Sequence, residues 1–114
     1  MGILRDRGWR IHLVTDHFPN DAQDISDPAW LKFGLEQGWD ALTKDDRILT
    51  QVDALELLEQ HRRSAFSQGN AQLNIRQQAD RFHQHQGKIY RYCRPRHYGF
   101  FTCYEADVNK RWPQ

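Results

Sequence analysis

Apolar positions along this 114-residue chain fall into short blocks whose spacing switches between that of a strand and that of a helix. Arg10-Ile-His-Leu-Val14 alternates and then becomes continuously apolar, which predicts a short strand. Residues 15–26 read as a loop with Pro19-Asn-Asp as its turn signal. Asp27-Pro28 then opens a helix over 28–37, since Asp is a favoured N-cap and Pro suits the first helical position. Trp30, Leu31, Phe33 and Leu35 give that helix a broad apolar face, and Gly38 stops it. Trp39–Thr43 predicts a second strand, followed by the loop Lys44-Asp45-Asp46-Arg47. Ile48, Val52, Leu55 and Leu58 recur at helical spacing, so an amphipathic helix runs from 48 to about Arg62.

The pattern then weakens. Ser64-Ala-Phe66 is a candidate third strand with little propensity of its own, and Gln68-Gly-Asn70 reads as a loop. Ile75, Ala79 and Phe82 mark a further helix closed by Gly87. Lys88–Cys93 and Tyr98–Tyr104 are rich in aromatic residues and predict two strands around a turn containing Pro95, that is, a hairpin over 88–104. Strands alternating with helices through short loops predict an α/β domain with a mainly parallel sheet and a C-terminal hairpin. The length favours a single domain over 1–114.

Composition removes several classes. No apolar run approaches the ~20 residues of a membrane helix, and the opening Met-Gly-Ile-Leu-Arg-Asp-Arg lacks the apolar core of a signal peptide. Two cysteines, Cys93 and Cys103, make neither a disulfide scaffold nor a four-cysteine zinc site. They might face each other across the expected hairpin only as a reduced pair, as suits a cytoplasmic protein. Charge is divided along the chain: residues 1–60 hold six basic and twelve acidic side chains, residues 61–114 ten basic and three acidic. That division suggests an acidic site in the first half and a phosphate-attracting surface in the second, or ordinary solvated faces that happen to segregate.

The acidic residues fall where an open parallel sheet binds ligands, outside the carboxyl ends of its strands. Asp16 follows the first expected strand, Asp45 and Asp46 follow the second, and Asp27 starts the helix between them. Converging carboxylates repel one another unless a cation holds them together, and hard oxygen ligands without thiolate point to Mg²⁺ or Mn²⁺. The plainer reading makes Asp27 a helix cap and Asp45 and Asp46 solvated turn residues. Lys44 and Arg47 beside the acids, and Arg91, Arg94 and Arg96 interleaved with Tyr90 and Tyr92, are the candidate RNA contacts; cations grip phosphates while aromatic faces stack on unpaired bases. His83-x-His85 lies on a predicted helix, where positions two apart do not converge, so surface residues rather than metal ligands are expected.

Three segments carry a family resemblance. Asp-His-Phe-Pro at 16–19, Asp-Pro-Ala-Trp-Leu at 27–31 and Gly-Trp-Asp-Ala-Leu-Thr-Lys-Asp-Asp-Arg-Ile at 38–48 resemble the PIN-like domains of VapC-type toxin ribonucleases, in particular a short subgroup. Ser-Gln-Gly-Asn at 67–70 resembles the strand-end loop of the same subgroup. The resemblance spans roughly residues 4–90 and implies a three-layer α/β/α sandwich. It also implies a Mg²⁺- or Mn²⁺-dependent endoribonuclease of a toxin–antitoxin pair. Matched by position, Asp27 and Asp45 become metal-binding catalytic acids, with Asp46 and Asp16 as auxiliary catalytic acids. RNA is the implied substrate, an antitoxin protein the implied partner, and a homo-oligomer a further expectation. PIN-like domains ordinarily begin with a strand ending in Asp and a helix, whereas Gly2–Gly8 here resembles only the tail of that helix. The resemblance therefore implies an N-terminally truncated domain, weak or inactive as it stands. Two other readings stay open: a non-catalytic PIN-like domain that binds RNA or a protein partner, and a small interaction module with incidental acids.

Overall fold

In the computed structural model, residues 4, 6–9, 27–43, 46–68, 72–94 and 97–113 are described. The expected strand over 10–14 and its pairing with the next strand lie outside them.

Helix α1 spans Asp27–Glu36. It ends as the sequence implies: Gly38 adopts a φ of +85°, with Gly38 N–H donating to Leu35 O and Trp39 N–H to Gly34 O at 2.9 and 3.0 Å. Those two bonds satisfy the terminal carbonyls, and the left-handed turn they require suits glycine. Strand β1 is short, Ala41–Leu42. The single helix expected from 48 to 62 is instead a 3-10 turn, Arg47–Thr50, followed by α2, Val52–His61. Thr50 Oγ1 donates to Arg47 O at 2.8 Å, and Gln51 is extended between the two pieces. The apolar stripe survives the break, because Ile48 is buried together with Ala54 and Leu58. Helix α2 closes on Arg62 at a φ of 54°, and the Arg62 guanidinium lies 4.5 Å above the Tyr98 ring.

Strand β2 is Ser64–Ser67. Helix α3, Ile75–Gln84, opens on a capping box in which Asn74 and Gln77 exchange side-chain-to-backbone bonds of 2.8 and 2.9 Å. The helical run breaks at His85 and resumes as α4, Gln86–Tyr92. The expected stop at Gly87 and the expected strand Lys88–Cys93 are therefore both corrected. His85 and Ile89 are buried and Tyr92 is half-buried, a spacing of four and three that forms one helical stripe; this outweighs the strand propensity of the tyrosines. The hairpin is shifted accordingly: it comprises β3, Gly99–Cys103, and β4, Val108–Trp112, rather than residues 88–104.

The sheet has the order β1-β2-β3-β4. β1 and β2 are parallel, as are β2 and β3, while β3 and β4 are antiparallel with an irregularity at Phe100/Phe101. Gly99 is required where the hairpin tightens: a Cβ there would lie 2.3 Å from Trp112 O. Every residue of β2 and β3 is buried, as expected of central strands covered on both faces. The pleat sorts them: Ala65 and Phe100 pack with Leu31, Leu35, Ile48 and Leu58 of one layer, and Phe66 and Phe101 pack with Phe82 and Ile89 of the other. The result is an α/β/α arrangement, with α1 and α2 on one face and α3 and α4 on the other.

Candidate functional site

The three parallel strands bring their carboxyl ends to one edge, and a polar cluster occupies it. Ser67 lies two residues beyond Ala65, and Thr102 two beyond Phe100, so both project on the α1/α2 face. The register pairs Ser67 with Thr102, and their hydroxyl oxygens are 3.2 Å apart. Asp46, just before the 3-10 turn, reaches over them. Its Oδ1 accepts from Ser67 Oγ and, at 2.9 Å, from Thr102 Oγ1. Strand β4 contributes Arg111, whose Nη1 donates to Asp46 Oδ2 at 3.2 Å, to Thr102 Oγ1 at 3.2 Å and to the Tyr104 hydroxyl at 2.9 Å. The Asp46–Arg111 pair is about one-third exposed on each side, so its Coulombic worth is about 1 kcal/mol or less. Its geometry says more than its energy: both carboxylate oxygens already meet a donor.

Asp46 is thus the one expected site acid whose side chain is described. Asp16, Asp45 and the side chain of Asp27 lie outside the described residues, although the backbone of Asp27 begins α1. Tested as a magnesium centre, the described cluster offers suitable hard oxygens in Asp46, Ser67 and Thr102, but its positive charge is Arg111. Among the described residues no group of three or more His, Cys, Asp or Glu could hold a metal ion. As arranged, these residues do not fit a Mg²⁺ site.

The expected RNA contacts do not share this edge. Arg47 adjoins Asp46 and is exposed, while Lys44 and Arg96 lie outside the described residues. Arg91 and Arg94 are exposed at the end of α4. That end adjoins the amino end of β2, where Ser64 Oγ donates to Tyr92 O at 3.0 Å. A four-residue strand, about 10 Å of rise, separates them from Ser67. Tyr92 is corrected from an RNA-stacking residue to a packing one: its ring stacks on Phe101 at a centroid distance of 4.3 Å and meets His97 edge-on. Tyr90 is exposed but leans edge-on against Trp9 at 5.3 Å.

The amino edge has a polar group of its own. Asp40 accepts from Ser64 N–H at 2.7 Å and sits 3.7 Å from Arg63. Burial pushes its carboxyl above the ordinary value, against the Ser64 N–H, the Cys93 thiol and Arg63, which all favour the charge. Burial, with Asp40 beside it, drives the Cys93 thiol well above its usual range, and burial lifts Cys103 to about 12. Both cysteines are free thiols, and they do not face one another in a hairpin: Cys93 caps α4, and Cys103 is a core residue of β3. The two histidines diverge as expected, but neither is merely a surface residue. His83 Nδ1 accepts from Trp9 Nε1 at 3.0 Å, and buried His85 is 2.7 Å from Tyr104 O through Nε2.

Thr102, Tyr104 and Arg111 are the site residues that sequence reasoning missed. Thr102 and Tyr104 have the right alternation within the expected strand 98–104. Arg111 required reading Val108–Trp112 as a returning strand after the Glu105-Ala-Asp turn. Among the described residues, no helix is long and apolar enough to cross a membrane.

Comparison with known proteins is confined to one match. No curated protein and no solved structure matched the chain. Residues 1–69, more than half of the sequence, match the family described as PIN like domain. The matched part ends just after Ser67 and contains Asp46, while Thr102, Tyr104 and Arg111 lie beyond it. With the sheet mainly parallel and flanked by helices on both faces, the chain belongs to the PIN-like domain family, a nuclease-type fold.

Proposed function

We propose that the protein is a metal-dependent endoribonuclease of the VapC type, cleaving single-stranded RNA at the carboxyl edge of its sheet. The observation that carries this reading is the convergence of Asp46, Ser67 and Thr102 there, within a PIN-like domain. Mg²⁺ or Mn²⁺ is the cofactor the reading requires, with Asp27 and Asp45 as its ligands and Asp16 and Asp46 in support. When bound, such an ion supplies an activated water and charge to offset that building on the phosphodiester. The chain's own residues contribute orientation: Ser67 and Thr102 fix the Asp46 carboxylate, and Arg47 beside it meets RNA phosphate. Arg91 and Arg94, at the opposite edge, hold a more distant part of the strand. An antitoxin protein would restrain the activity.

A second reading is favoured by the Asp46–Arg111 pair: a PIN-like domain that binds RNA or a protein partner without cutting. One experiment separates them. Single-stranded RNA is incubated with the protein in Mg²⁺, in Mn²⁺ and in EDTA, alongside Asp46→Asn and Asp45→Asn. Cleavage lost in EDTA and in both variants supports the nuclease. RNA binding indifferent to metal, without cleavage, supports the second reading and ends the first.

A further inference from the structure

We infer that Arg111 sets the metal affinity of the carboxyl edge, acting as a built-in cation that a divalent ion must displace from Asp46. The argument starts from the strand register. Asn109 pairs with Thr102, so Arg111, two residues on, returns to the same face of the sheet, over the site. Its Nη1 then meets Asp46 Oδ2, Thr102 Oγ1 and the Tyr104 hydroxyl. Asp46 Oδ1 is meanwhile engaged by the hydroxyls of Ser67 and Thr102.

These donors are not equivalent towards an incoming metal. A hydroxyl rotates, withdraws its proton from the carboxylate and offers a lone pair to the ion. A guanidinium has no lone pair to offer and stays protonated throughout the working pH range, so it repels the ion and must leave. Arg111 and Asp46 are each about one-third exposed, which opens a path for the arginine into solvent. Ser67, Thr102 and Asp46 are thereby potential ligands in waiting, and Arg111 is the group that decides whether they bind.

The inference deepens the metal-dependent reading and rests on it only for the expectation that this edge takes a cation. It is tested without RNA, by following Mn²⁺ binding through loss of the free-ion electron paramagnetic resonance signal. Arg111→Gln should bind Mn²⁺ at least tenfold more tightly than the wild type. Arg111→Lys, which keeps the charge, should stay near the wild type, and Asp46→Asn in the Arg111→Gln background should abolish the gain. Circular dichroism confirms that each variant is folded. Should Arg111→Gln not fold, Tyr104→Phe, which removes one anchor of the guanidinium, should bind more tightly than the wild type. Equal affinity in the wild type and the folded variant, or a gain that survives Asp46→Asn, overturns the proposal. Tighter Mn²⁺ binding without RNA cleavage would leave it standing while the nuclease reading fails.

Discussion

Asp46 Oδ1 accepts a hydrogen bond from Thr102 Oγ1 at 2.9 Å across 56 residues of chain. The bond joins the part of the chain that matches the family, residues 1–69, to the hairpin that follows it. The carboxyl edge is therefore assembled by both parts. Thr102→Val keeps the shape of a buried β-branched side chain and deletes the hydroxyl. Loss of one hydrogen bond to a carboxylate should cost about 1–3 kcal/mol, read as a lowered urea midpoint with an unchanged slope. Thr102→Ser should recover most of it. A Thr102→Val variant as stable as the wild type would show that the bond is idle.

The legible parts of this fold are those where local signals agree with packing. Gly38 and the apolar face before it specify α1 and its end, and the stripe Ile48, Ala54 and Leu58 survives although the helix is broken at Gln51. Ser64–Ser67 is central yet reads weakly, because a strand buried on both faces has no alternation to show and this one is built from small residues. Lys88–Cys93 misleads for the opposite reason: Ile89, Tyr90 and Tyr92 favour a strand locally, while only the tertiary surface of Phe82 and Phe101 makes the helical stripe worth forming. At the site, Asp46 and Ser67 are readable as strand-end residues. Arg111 is not, since its meeting with Asp46 depends on the β3–β4 register and its irregularity.

Tyr90 and Tyr92 give a direct check on the helix. In a strand, residues two apart share a face, and truncating either tyrosine would have similar effects. On α4 they separate: Tyr92 stacks on Phe101, while Tyr90 is 48% exposed. Tyr92→Ala should cost about 2–4 kcal/mol and Tyr90→Ala about 1 kcal/mol or less, by urea denaturation. Equal costs would refute the helical placement.

Both thiols should be inert in the folded protein. The thiolate is the reactive species; burial lifts Cys103 to about 12 and drives Cys93 higher still, so almost none is ionised at pH 8. Iodoacetamide at pH 8, followed by mass spectrometry, should label neither cysteine in native protein within the time that labels both in urea. Rapid native labelling of Cys93 would mean that the Asp40–Cys93 contact opens easily.

Asp40 makes a signed prediction about pH. Burial raises its carboxyl above 3.8, so the folded chain holds this proton more tightly than the unfolded one. Between the two values the unfolded state binds fewer protons, and stability must fall as pH rises through that window, reaching a plateau above the raised value. The penalty is relieved below the unfolded value. Asp40→Asn removes the titration while leaving an amide oxygen to accept from Ser64 N–H, which the wild-type carboxylate does at 2.7 Å. Asp107, which is exposed, works the other way. Lys88 and its own bond to Val108 N–H lower its carboxyl, so its contribution is present above 3.8 and lost as pH falls. The whole-protein profile mixes the two, and the difference between wild type and Asp40→Asn isolates the first. That difference, from urea midpoints taken between pH 3 and pH 7, should favour the wild type most at the acid end and decline as pH rises. A difference that grows with pH would mean that Arg63 and the Ser64 N–H more than compensate burial, and that the Asp40 carboxyl is lowered rather than raised.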